Sequence, residues 1–311
     1  MATLQAVLRR PASDADYTSP SRFRPVGFVL GAIGVGLIAA ALIGNLVAVD
    51  EVGEGGTRLR SILAWTFGVT TMGLAALKFG IAVVLMGIIV RLWMHVESVK
   101  TALMTLRKDV EPQLHTGDLK TDYGAAIATA SVPVPLPIHR MARVLWHPMV
   151  VMGLMAVMIG LVLSFIQVGT EDSRDFIRLS AYTQGLQFMG EGLLLSGISF
   201  LLGTILASLR SGGGEVQESL GVTVKTLKMP LSAKLFVALM AVGMMISIIQ
   251  FVLYIVAAEA DSPAAWFAWL GPFRELALGL LLSGIVLALY SIGTVLGFQF
   301  SRIRELIAEG N

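Results

Sequence analysis

Four ionisable residues stand inside long apolar runs: Lys78, Glu191, and the adjacent pair Arg274 and Glu275. Such side chains are expensive in hydrocarbon, so each is a functional candidate until a partner explains it. Their levels can be compared because the chain repeats itself. Gly192-Leu193-Leu194-Leu195-Ser196-Gly197-Ile198 returns as Gly279-Leu280-Leu281-Leu282-Ser283-Gly284-Ile285, and a worn copy sits at Phe79-Gly80-Ile81. Aligned on the central glycines, Thr70, Gln187 and Arg274 share one level, Glu191 lies four residues deeper and Lys78 four deeper again. Steps of four keep side chains on one helix face, which predicts a ladder from Arg274 through Glu191 to Lys78. Two chemistries fit it. The first is a buried ion pair that fixes the register of similar helices. The second is a polar route for protons or a small ion, entered at a repeat interface. A conduction path calls for more polar residues than these, which favours the ion pair.

The elements that position these charges are membrane helices. The 311 residues are 55% hydrophobic and 14% charged, with a mean hydropathy of +0.78, far from a soluble domain. A helix needs about 20 apolar residues to cross the hydrocarbon core, and six stretches qualify: 26–48, 62–93, 149–168, 181–209, 231–257 and 264–298. The expected fold is an all-α integral membrane protein, a bundle of six transmembrane helices built from three repeated hairpins in approximate threefold arrangement. Its parts are a polar leader (1–25), hairpins at 26–93, 147–209 and 230–300, cytoplasmic loops at 94–146 and 210–229, and a tail at 301–311. No secretory signal precedes the first span, which is expected to act as an uncleaved signal anchor.

Charge placement sets the expected orientation. Most Lys and Arg fall on the side of the termini and the longer loops, so both termini are expected in the cytoplasm (N-in, C-in), in a bacterial cytoplasmic (inner) membrane. Proline opens the odd-numbered spans at Pro25, Pro148 and Pro230, where the missing N–H is harmless. The segment Val132 to Pro137 reads as an extended connector. Arg140, Arg143 and Trp146 read as an interfacial anchor, and Gly212-Gly213-Gly214 as a flexible hinge.

Small residues recur every seven positions in the even-numbered spans: Gly73, Gly80 and Gly87; Gly190, Gly197 and Thr204; Ala277, Gly284 and Ser291. Lipid supplies no hydrophobic drive for association, so close approach along such faces gives the packing, and the even helices are expected to meet one another through them. Gly68, Gly185 and Pro272 share a level and mark weak points.

Several chemistries are excluded or disfavoured. Without cysteine there are no disulfides or thiolate metal sites. His95, His115, His139 and His147 fall at or beyond the membrane edge. A haem or metal held between His95 and His147 is disfavoured against solvated histidines. Met149, Met152, Met155 and Met158 read as adaptable core packing rather than a copper site. No metal or cofactor is expected, no catalytic constellation or phosphate loop is present, and the basic loops serve topology rather than nucleic acid. The expected function is a non-enzymatic membrane-embedded subunit or scaffold, with the lipid bilayer and other membrane-protein subunits or further copies of itself as partners. The alternative is a proton- or ion-coupled small-solute transporter using Glu191 and Lys78.

Overall fold

The computed structural model describes the backbone of residues 23–51, 57–109, 127–129 and 137–309. Six helices carry the fold: α1 (Phe23–Glu51), α2 (Thr57–Asp109), α3 (Pro137–Val168), α4 (Ser173–Ser219), α5 (Leu231–Glu259) and α6 (Pro263–Glu309). All six are long and apolar enough to cross a membrane, as a polytopic membrane protein requires. Two short strands, β1 (Ile127–Thr129) and β2 (Lys225–Leu227), pair antiparallel with Ala128 opposite Thr226. The leader up to residue 22 and most of the proline connector lie outside the described residues.

Local chemistry explains the helix ends. Asp172 caps α4, its Oδ1 accepting from the N–H groups of Arg174 (2.8 Å) and Asp175 (2.9 Å), which satisfies donors that have no intrahelical partner. The other end of α4 closes on Gly221, whose φ of +67° is open to glycine at little cost. Its N–H donates to Glu218 O, while that of Val222 reaches Gln217 O. Inside the helices, Thr70, Thr71, Ser199, Thr204, Ser247 and Ser291 each donate to the carbonyl four residues back, so their hydroxyls are satisfied without water.

Consecutive helices pack antiparallel and closely. Gly27 meets Gly80, Gly34 meets Gly73 and Gly44 meets Thr66, the partner number falling as the residue number rises. Between α3 and α4, Gly153 meets Gly190 and Gly197 meets Val150; between α5 and α6, Gly243 meets Ala277 and Gly284 meets Phe236. The small faces at Gly73, Gly80, Gly190, Gly197, Ala277 and Gly284 therefore receive the odd helix of the same pair, not another even helix. The sequence reading that joined the even helices through them is corrected. The connections 169–172 and 260–262 are short, so each pair must lie side by side, and the smallest residues fall where the backbones are closest. Gly87 is also buried.

The arrangement is not a closed threefold one. Helix α4 is the axis: 72% of its apolar window is buried, against 17–39% for the other five. It packs against α2, α3, α5 and α6, whereas α2 and α6 barely touch and α1 packs mainly on α2.

Three further expectations change. Pro148 lies inside α3, which begins at Pro137, so Arg140, Arg143 and Trp146 belong to a continuous helix. The glycines at 212–214 lie inside α4, where the amide of Gln299 from α6 occupies the space a side chain on Gly213 would need. Met152, Met155 and Met158 are exposed on the outer face of α3, and only Met149 packs against the core.

The even helices also outrun the membrane. At 1.5 Å per residue, the 47 residues of α4 or α6 span about 70 Å, against about 30 Å of hydrocarbon. Their excess carries the β ladder at one end, here called the long-helix end. The opposite, short-loop end carries the connections between paired helices.

Candidate functional site

The ionic centre is built on α4. Glu191 is 1% exposed, and one oxygen, Oε2, faces two cations: Lys78 Nζ of α2 at 3.5 Å and Arg274 Nη2 of α6 at 3.2 Å. The guanidinium of Arg274 also lies 3.8 Å over the ring of Phe188 and 3.5 Å from Glu275 Oε1. Glu275 itself turns outward, 70% exposed. Counted together, two cations and two carboxylates balance, which is the condition for charges to persist in low dielectric. The three even helices α2, α4 and α6 thus meet at one carboxylate.

A second element lies toward the short loops. A cavity of about 530 Å³ opens there, lined by Asn45, Arg60, Thr66, Thr70, Gln167, Thr183 and Gln184, with Phe67 and Phe176 among the apolar walls. Thr66 donates to Asn45 Oδ1 at 2.8 Å, Gln184 to Ser180 Oγ at 3.1 Å, and Arg60 to Ser173 Oγ at 3.1 Å. Below this vestibule, Thr183, Gln187 and Glu191 follow at steps of four along α4. Thr183 Oγ1, both amide atoms of Gln187, and Glu191 Oε1 are buried without a protein hydrogen-bond partner. Buried polar atoms in native proteins are normally satisfied, by water where protein is lacking. Toward the long-helix end the bundle is instead packed with Leu194, Leu195, Ile198, Leu201, Ala75, Ala82 and Leu281.

No family model, curated protein or solved structure matches this chain. Its chemistry is therefore read from its own geometry.

Gln187 is named in the sequence by its level alone, while Thr183 carries no such mark; the i, i+3, i+4 spacing of 180, 183, 184, 187 and 191 is the signal of the polar file they form. A second cluster lies at the long-helix end, where the sequence shows basic residues of the kind that set topology. Arg302 is 1% exposed and donates to Gln217 Oε1 (3.0 Å), to Thr223 O (3.0 Å) and to Glu305. Lys225 of β2 reaches the other oxygen of Glu305 at 2.5 Å. Gln217 also donates to Lys225 O and accepts from its N–H, both at 2.9 Å. This knot ties the ends of α4 and α6 to the β ladder. Its one sequence signal is the i, i+3 spacing of Arg302 and Glu305.

His147 is exposed, with its ring edge-on to Trp146 at 5.4 Å. The side chains of His95, His115 and His139 lie outside the described residues. Among the described residues, no group of three His, Asp or Glu is placed to hold a metal ion.

Proposed function

We propose that the chain is a non-enzymatic membrane-embedded subunit or scaffold: three helical hairpins with both termini in the cytoplasm, held in register by Glu191. The observation that supports this reading is that one buried carboxylate ties helices from all three pairs, above a half packed with Leu194, Ile198, Leu201 and Leu281. An ion pair of this kind specifies which of several similar packings forms. Outside it, α1, α3, α5 and α6 offer broad apolar faces to lipid or to other membrane proteins. The test is purification from native membranes in mild detergent. Fixed stoichiometric company is expected, either other proteins or further copies of the chain; a lone monomer would sink the reading.

The second reading, a proton- or ion-coupled carrier of a small solute, draws support from the vestibule and from the unsatisfied atoms of Thr183, Gln187 and Glu191 beneath it. Purified protein in liposomes would then move protons or solute, and the fraction of Glu191→Gln that remains folded would have lost the flux. Absence of flux from folded wild-type protein would count against it.

A further inference from the structure

The three pairs use one packing register. Gly34 sits on Gly73, Gly153 on Gly190 and Gly243 on Ala277, and these three even-helix positions coincide when Gly80, Gly197 and Gly284 are aligned. Eight and eleven positions beyond its own glycine, each odd helix carries a second contact pair: Leu42 and Asn45, Leu161 and Ser164, Phe251 and Tyr254. In α3 and α5 these pairs dock on the preceding even helix. Leu161 and Ser164 press on Gly68 of α2; Phe251 and Tyr254 press on Gly185 of α4.

Two faces of this array have no neighbour among the described residues. Among the described residues no even helix other than α2 packs on α1; Leu42 is 59% exposed, and Asn45, also exposed, accepts from Thr66 at the edge of the vestibule. Among the described residues no odd helix other than α5 packs on α6. Its counterpart of Gly185 is the exposed Pro272. Its counterpart of Gly192, which in α4 is filled by Ser247 of α5, is Gly279, with nothing within 4 Å. All seven letters of Gly-Leu-Leu-Leu-Ser-Gly-Ile are thus buried in α4, whereas in α6 Gly279, Leu282 and Ser283 are exposed. On the bare face Glu275, one turn deeper than Pro272, exposes its carboxylate inside an apolar span, at the level where Phe188 of α4 packs against Tyr254. A charge directed into hydrocarbon is costly and calls for cover by a hydrogen-bond donor.

We propose that the α6 face at Pro272, Glu275 and Gly279 receives α1 of a second copy of this chain, with the Asn45 amide of that copy donating to Glu275. The inference rests on the scaffold reading and names its partner. The contact is head to tail: the α1 face of one copy meets the α6 face of the next, so addition continues until a ring closes or a row forms.

The native chain contains no cysteine, which makes the test direct. Full-length protein carrying both Leu42→Cys and Pro272→Cys, oxidised in native membranes, is expected to give a ladder of dimers, trimers and larger species. Val144→Cys with Pro272→Cys is expected to give none, since Val144 lies on the outer face of α3 (69% exposed). Adding Gly279→Leu, which meets open space in the single chain, should cut the ladder about tenfold without altering the fold. The proposal is overturned if the 42–272 protein yields no product, or no more than the Val144 control. It is likewise overturned by a product that stops at dimers through 272–272 linkage, or by a ladder indifferent to Gly279→Leu. Co-purification of other membrane proteins without the 42–272 product would remove this inference and leave the scaffold reading standing.

Discussion

A methyl group on Gly34 would lie 2.7 Å from the carbonyl oxygen of Gly73, and one on Gly73 would lie 2.8 Å from that of Gly34. The relation recurs between Gly153 and Gly190, at 2.8 and 2.7 Å. At these crossings even one carbon must push two backbones apart. Gly73→Ala and Gly190→Ala are each expected to cost about 1–3 kcal/mol by overpacking. Gly293→Ala, which meets open space, should be neutral or slightly stabilising, since alanine is the better helix former. Unfolding in mixed micelles titrated with a denaturing detergent measures all three, and equal midpoints would refute the close approach.

Removing the shared carboxylate and removing one of its cations are different acts. Glu191→Gln leaves Lys78 and Arg274 facing each other in low dielectric and is expected to cost about 3–5 kcal/mol. Lys78→Met keeps the Arg274 pair and replaces a buried stem with one of similar length, so a loss below about 2 kcal/mol is expected. The same micelle titration ranks the two variants. A Lys78→Met protein less stable than Glu191→Gln would show that Lys78 has another role.

If water fills the vestibule, thiol chemistry will follow it. With no native cysteine as background, Thr183→Cys should react with a membrane-impermeant maleimide added from the short-loop side, and Gln187→Cys more slowly. Ser196→Cys, one turn and more below Glu191 in the packed half, should stay unlabelled from either side. Equal labelling of Ser196→Cys and Thr183→Cys would mean that the lower half is not sealed.

The knot at the long-helix end gives a pH dependence with a definite sign. Burial on its own would raise the pKa of the Glu305 carboxyl, but hydrogen bonds from Lys225 and Arg302 outweigh it and hold the group below the ordinary carboxylate range. A carboxyl depressed in the folded state adds stability that is fully present above its unfolded pKa, about 4.3. That contribution disappears as pH falls through the lower folded value. Thermal unfolding of wild type should therefore lose stability below about pH 4.3 more steeply than that of Glu305→Gln. Parallel pH profiles for the two proteins would exclude a role for this carboxylate.

The six apolar spans can be read from the sequence because lipid imposes a length and a composition on them. The expected levels of Lys78, Glu191 and Arg274 come from counting residues from Gly80, Gly197 and Gly284. Which face meets which helix does not follow. Odd and even helices both carry small residues at heptad spacing, so a shift of seven replaces one close crossing with another of almost the same composition. The matching stretches at Gly160 to Gln167 and Gly243 to Gln250 illustrate this, because Gly243 takes the place of Gly153 rather than that of Gly160. The continuous ends of α4 and α6 were hidden for another reason. Three successive glycines oppose a helix by about 1 kcal/mol each, and only the distant Gln299 shows why Gly213 is accepted there.

Filled with water, the cavity at the short-loop end would divide the bilayer unequally. Water standing among Thr66, Thr70 and Thr183 would carry the potential of its own bath inward, so a transmembrane voltage would drop chiefly across the dry layer beneath Glu191. A unit charge moved through that layer would feel nearly the whole of the ~2.3 kcal/mol available per 100 mV. Lys78, on the far edge of the ionic centre, would then stand at the top of that layer.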